Sequence, residues 1–248
     1  MKIYSDGFFS IDPTHGFLPI QEPLHRLPET YQALQELVDQ MPIQLENGAP
    51  GLLATEGAFE KKAAALPNYL EAVQKETDPF VKAALFRAYS FVCSAYTLAP
   101  AHHAYLKTGK YGTAHASLPK VIAQPFVAVS DALGVFPWLD YHYSYSLGNY
   151  HKKDKTKGFE WENLAMAVKF SGMDDERGFI MLHVDINQYS PDLVKAAFGV
   201  SAEEANEASL TDSVALLSNT MKKMNDRRKL MWEASRWKHY NDFRVFIM

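Results

Sequence analysis

The sequence predicts an all-α fold, and three observations carry that prediction. Apolar residues recur at helical spacing along much of the chain: Tyr31, Leu34, Leu37 and Val38, then Leu85, Ala88, Tyr89, Val92 and Tyr96, then Phe179, Leu182, His183 and Ile186. Helix punctuation frames these runs, with Asp78-Pro79 reading as an N-cap and first helical residue and Gly134 as a C-terminal cap. The aromatic stretch 138–150 fits strand or helix by composition, but no partner strand is visible nearby, so it reads as helix.

In chain order, residues 1–28 are rich in Pro, Gly and aromatics and read as an extended arm. A helix follows from Glu29 to about Gln40, ended by Met41-Pro42 because the residue before a proline avoids the α region. Residues 43–52 read as loop, and helices are expected over roughly 54–74 and 79–98. Pro100, Gly109, Gly112 and three histidines give 99–117 the look of a long irregular segment, one that borders a site or separates two subdomains. The next helix starts near Leu118-Pro119, bends at Pro125 and ends at Gly134. Further helices are expected over 160–170, 177–189, 208–226 and 230–248, with a break at Ser190-Pro191. The domain boundary is placed at 117/118, giving an N-terminal arm with a small helical domain and then a larger helical part.

Composition narrows the function. The 248 residues are 47% hydrophobic and 22% charged, ordinary for one large or two modest globular domains. A net charge of −4 gives no overall basic field to attract nucleic acid or anionic lipid. The run His151-Lys152-Lys153-Asp154-Lys155-Thr156-Lys157 is broken by an acid and reads as a solvated loop. Cys93 is the single cysteine, so no internal disulfide can form, and its apolar neighbours favour an inert buried thiol. No signal-peptide core and no run of roughly 18 apolar residues is present, so a cytoplasmic location without membrane or nucleic-acid partners is expected. His102, His103 and His115 lack an accompanying acid or Cys at ligand spacing and read as surface histidines rather than a metal site. Met221 and Met224, at helical spacing, read as packing residues.

Two stripes stand out. Phe179, Leu182, His183 and Ile186 share one helix face that is apolar apart from an imidazole. Near the end of the chain, Tyr240, Phe243, Arg244 and Ile247 share another, with a guanidinium in the middle. Both are expected to face inward. A buried Arg without a partner is costly, so an anionic ligand is the natural complement for Arg244, with Asp242 or Asp185 as internal alternatives. His183 is open to two readings, a core histidine bonded to a backbone carbonyl or a pocket residue.

Four segments together resemble the indoleamine 2,3-dioxygenase family, within the wider tryptophan dioxygenase superfamily of haem enzymes. They are Leu118-Pro119 through Pro125-Phe126, Ser130, Leu133-Gly134 and Pro137; then Asn149-Tyr150-His151-Lys152-Lys153-Asp154 with Glu162-Asn163 and Gly178-Phe179; then Tyr240, Arg244, Phe246 and Ile247; and at the start Gly16-Phe17-Leu18-Pro19 with Leu27-Pro28 and Tyr31. The resemblance implies a small N-terminal helical domain over a larger haem-bearing one. It also implies haem b as cofactor and kynurenine-pathway chemistry, in which both atoms of dioxygen are inserted across the indole 2,3-bond of L-tryptophan or a related indole. By position it implies a distal-pocket role for Phe179, a carboxylate-binding role for Arg244, a pocket aromatic at Tyr240 and a residue over the haem at His142. His183 stands where the family typically carries a small serine and resembles the distal histidine of the tryptophan-specific branch. Its role would be catalytic, orienting the indole. Phe179, His183 and Ile186 would touch the cofactor. His239 replaces a family Phe and would make the pocket more polar. The family's proximal histidine lies further along than Met248, so no metal ligand is assigned and residues 118–248 are expected to be the distal-side part of a truncated haem domain, partnered by a missing C-terminal segment. The remaining alternatives are a relative performing a different indole oxidation, as in pyrrolnitrin biosynthesis, and a non-catalytic helical scaffold.

Overall fold

The computed structural model describes residues 11–202, 206–236 and 240–247. The first ten residues of the expected arm, His239 and Met248 lie outside them. The described chain is mostly helical, as the periodicity predicts, and the strands among the described residues make one two-stranded hairpin.

The helices are α1 (Gln32–Gln40), α2 (Ala58–Ala64), α3 (Leu70–Lys75), α4 (Pro79–Thr108), α5 (Lys120–Leu133), α6 (Asp174–Asn187), α7 (Ser190–Val200), α8 (Glu207–Arg228), α9 (Met231–Ala234) and α10 (Asn241–Arg244). A π-helical segment spans Tyr141–Leu147, and β1 (Tyr150–Lys152) pairs antiparallel with β2 (Leu164–Met166).

The core is organised around α4, which packs against α1, α2, α5, the π-helical segment and the final turn Val245–Ile247. Asp78 caps its start by accepting the Phe80 N–H at 2.8 Å, and Gly109 ends it in the left-handed conformation at φ 70°. Between these caps Leu85, Tyr89, Phe91, Val92 and Ala95 are completely buried. Among the described residues no helix is long and apolar enough to cross a membrane.

Several expectations are corrected. The helix over 54–74 is two helices, α2 and α3, separated around Pro67, whose missing N–H and fixed φ interrupt the ladder. The helix beginning at Pro79 does not stop at 98: it runs through Pro100 to Thr108, so most of the irregular segment is helix. Burial on several sides outweighs one lost backbone bond. His102 and His103 are therefore buried in α4 rather than on the surface, while His115 is exposed with Glu60 at 4.0 Å. Residues 160–170 are a short 3-10 turn, Trp161–Asn163, followed by β2, not a helix. The hairpin is held by buried Asn149, which accepts the Val168 N–H at 2.9 Å and donates to the Val168 carbonyl at 2.7 Å. The stretch 138–150 is helical only over the π segment, and His151 and Lys152 belong to β1 rather than to a solvated loop. Ser190-Pro191 opens α7, a helix the sequence reading lacked. The last expected helix is instead α9, α10 and a 3-10 turn, with 237–239 outside the described residues. Met221 is 51% exposed and packs no core. Cys93 is half-buried rather than fully buried, and burial raises its thiol pKa to about 11, which disfavours the reactive thiolate.

Candidate active site

The site is built on α6, and two buried carboxylates fix how that helix is turned. Glu176, in its first turn, is fully buried. Its Oε1 accepts the Tyr145 hydroxyl at 3.1 Å and the Phe170 N–H at 2.9 Å. Its Oε2 accepts the Ser171 N–H at 2.7 Å, the Ser171 hydroxyl at 2.8 Å and the Gly172 N–H at 3.1 Å. Asp185, near the other end, accepts both ends of the Arg227 guanidinium from α8, with the Trp161 N–H at 2.9 Å. Asp185 is thus committed to Arg227 rather than to Arg244. These bonds hold Glu176, Ile180, Val184 and Asp185 inward and leave Phe179, His183 and Ile186 half-buried, Phe179 at the rim of an opening, with only Leu182 of that stripe fully buried.

The opening is completed by α9. Gly178 lets the two helices touch: a Cβ there would lie 1.7 Å from the Ala234 carbonyl oxygen. Arg236 then ties this segment back, its backbone N–H donating to Asp175 at 2.6 Å and its guanidinium at 3.2 Å. Phe179, Met231, Trp232, Ser235 and Tyr240 line a cavity of about 200 Å³. A cleft of about 620 Å³ between Glu46, Lys153, Lys169, Asp174, Arg177 and Arg236 is larger but charged, and most of those charges pair within the protein. The small aromatic cavity is the better match for an apolar ring.

A line of side chains crosses this rim. The Tyr141 ring meets His183 edge-on at 5.5 Å, His183 meets Phe179 at 5.2 Å, and Phe179 meets Tyr240 at 5.4 Å. The Arg244 guanidinium carbon lies 5.6 Å from the centre of the Tyr240 ring. His183 Nδ1 lies 2.8 Å from the Phe179 carbonyl oxygen, which can only accept, so Nδ1 carries the hydrogen. Nε2 is then an acceptor, 3.4 Å from the Tyr141 hydroxyl. Burial lowers the imidazole pKa, opposed by the bond to Phe179, so the ring is neutral at pH 7.

The expected site residues fare unequally. Phe179, His183 and Tyr240 come together, and Arg244 reaches the group through Tyr240. The inward-facing second stripe is corrected: Phe243 is buried and Tyr240 and Ile247 half-buried, but Arg244 is exposed. An exposed guanidinium can remain hydrated, so Arg244 needs no internal carboxylate. His142 is exposed, next to Tyr141, with burial of part of its ring lowering its pKa against the pull of Asp140. Nδ1 of His183 is bonded to a backbone carbonyl, as the core reading expects, while Nε2 faces the Tyr141 hydroxyl. Sequence reasoning missed Tyr141 and Trp232. Asp140 was the available signal for Tyr141, since it caps the π segment through the Tyr143 N–H at 2.6 Å and the Ser144 N–H at 3.2 Å. Among the described residues no group of three His, Cys, Asp or Glu could hold a metal ion.

The family described as Indoleamine 2,3-dioxygenase matches residues 6–248. The chain belongs to the indoleamine 2,3-dioxygenase family. Similar proteins include indoleamine 2,3-dioxygenase acdA of Aspergillus candidus, 25% identical and covering 96% of this chain and 56% of that protein. Indoleamine 2,3-dioxygenase 1 of Rattus norvegicus is 24% identical, covering 90% of this chain and 50% of its own length. That of Mus musculus is 26% identical, covering 77% and 42%. The chain thus spans about half the length of the curated relatives it matches. Phe179 and Tyr240 meet at the rim, with Arg244 reaching them over the Tyr240 ring.

Proposed function

We propose that the chain forms the distal side of a haem-dependent dioxygenase that opens the indole 2,3-bond of L-tryptophan or a close relative, with residues 118–248 facing the cofactor. The single observation that carries this reading is the line Tyr141–His183–Phe179–Tyr240–Arg244, which sets an imidazole acceptor, aromatic walls and a carboxylate-binding cation in one row.

The fit to a flat apolar cofactor rests on exposed aromatic surface. Phe136 is 77% exposed and Trp138 64%, their rings 6.2 Å apart, and Trp232, 72% exposed, lines the cavity with half-buried Phe179. Large rings left in water mark a binding surface. Phe179, His183, Ile186 and, at the margin, His142 would line one face of the porphyrin, and none of them is assigned as its axial ligand. When bound, the haem supplies the dioxygen chemistry.

The protein's own residues then bind and orient. Arg244 takes the substrate carboxylate in its planar fork. Tyr240 and Phe179 flank the indole. Neutral His183 presents Nε2 as an acceptor for the indole N–H, holding the ring in register rather than acting as a strong base.

The test uses the full chain and haemin. Haemin should quench the fluorescence of the exposed Trp138 and Trp232 and give a Soret band, and L-tryptophan should bind more tightly than tryptamine, which lacks the carboxylate. Arg244→Ala should weaken L-tryptophan about tenfold, roughly 1.4 kcal/mol, and leave tryptamine unchanged. The effect is modest because an exposed charge is screened. Haemin binding that ignores Phe179→Ala, or equal loss of both ligands in Arg244→Ala, would contradict the reading.

A further inference from the structure

We propose that Tyr141 is a positioning residue for His183: its hydroxyl keeps Nε2 engaged as an acceptor while the site is empty and gives up that place to an N–H donor of the bound ligand. The identity of that donor as an indole N–H rests on the proposed function. The role of Tyr141 itself rests on geometry.

The His183 ring is constrained at one nitrogen and not at the other. Nδ1–H donates to the Phe179 carbonyl at 2.8 Å, an ordinary strong distance within one turn of α6. That bond fixes both ring orientation and tautomer. Nε2 is left with a lone pair and faces the Tyr141 hydroxyl at 3.4 Å, longer than the usual range for a hydroxyl donor. A contact of that length stabilises the empty site weakly, and a better-placed donor can displace it.

Tyr141 is mounted for such an exchange. Its backbone is fixed, because Asp140 caps the π segment by accepting the Tyr143 and Ser144 N–H groups and the Ser144 hydroxyl at 2.7 Å. Its ring lies edge-on to Tyr145 at 5.6 Å, and Tyr145 is pinned through its hydroxyl to buried Glu176. Yet Tyr141 is 40% exposed. A side chain with that much exposure, held on its Tyr145 side, can turn its hydroxyl away from Nε2 without unpacking the core. Burial and the nearby Tyr240 raise the phenol pKa, which keeps this hydroxyl a donor. Two donors, the tyrosine and the ligand, thus compete for one lone pair, and only a ligand carrying an N–H can replace the bond it displaces.

The test is nitrogen-15 NMR of His183 in the full chain, wild type against Tyr141→Phe, with indole and 1-methylindole as probes. The variant keeps the ring and removes only the hydroxyl. Wild type should show a protonated Nδ1 and an unprotonated, hydrogen-bonded Nε2. In Tyr141→Phe the Nε2 resonance should move to the position of a free lone pair, Nδ1 staying put, and added indole should move it back. Indole should bind about threefold more tightly to the variant, because no bond need be broken first, and 1-methylindole should leave Nε2 unmoved. An Nε2 signal indifferent to Tyr141→Phe, or a protonated Nε2 in wild type, overturns the proposal. Indole binding with no change at Nε2 overturns the exchange. If neither indole nor L-tryptophan binds, the functional reading fails, and the Tyr141→Phe shift at Nε2 still decides the role of Tyr141.

Discussion

The two faces of α6 are made of similar residue types and treated in opposite ways. Glu176 and Asp185 on the inner face are ionisable, fully buried and supplied with several donors each. His183 on the outer face is ionisable and half-buried, with one firm bond and one long one. The contrast separates structural polarity from functional polarity. A charge that serves the fold is saturated, because an unpaired buried group costs far more than the bond contributes. A group that serves a ligand keeps some capacity unused.

The sharpest way to break this contrast is Glu176→Ala. It strands the N–H groups of Phe170, Ser171 and Gly172 and the Tyr145 hydroxyl, and should cost about 3–5 kcal/mol in urea unfolding. A loss within that of a surface substitution, below roughly 0.5 kcal/mol, would mean the carboxylate is not structural.

His102 provides an intermediate case on α4. It is 3% exposed, with its ring 5.0 Å from Phe246 and Nδ1 without a hydrogen-bond partner. Burial, together with His103, lowers its pKa to about 4 against the opposing pull of Asp242. In the unfolded chain the ring titrates near 6.5. Between those values the unfolded state takes up a proton that the folded state refuses, so stability falls as the pH falls. The contribution is complete above pH 6.5 and is lost by about pH 4, on the order of 3 kcal/mol. Urea midpoints between pH 7 and pH 4 should show a slope that His102→Leu flattens, and an unchanged slope would assign the acid sensitivity to another group.

The smallest expected effect concerns the wall between the two faces. In Gly178→Ala the new methyl meets the Ala234 carbonyl, a backbone atom that cannot rotate away. A loss of about 1–3 kcal/mol is expected, with L-tryptophan binding weakened as α9 shifts. Unchanged unfolding midpoints and binding would place α9 elsewhere.

What the sequence discloses follows from what is local. Asp78-Pro79 and Gly134 set real helix ends because capping involves neighbours in the chain. Pro100 misled because the burial that carries α4 through it comes from elements far away in sequence. β1 and β2 are three residues each, too short for any alternation to register, and their pairing depends on Asn149 reaching Val168. For the site, periodicity grouped Phe179 with His183 and Tyr240 with Arg244. It says which side chains share a face and not where that face points. The exposure of Arg244 and the capture of Asp185 by Arg227 depend on how α8 and α10 pack, which no spacing encodes.

Glu176 joins two stretches of chain at one point, the loop 170–172 that leads into its own helix and Tyr145 of the π segment. The separation of Tyr141 from His183 is therefore set while the protein folds, before any ligand arrives. Selection for a different ligand would then find it easier to work on the α9 side of the opening, where the exposed Trp232 lines the cavity, than on the tyrosine side.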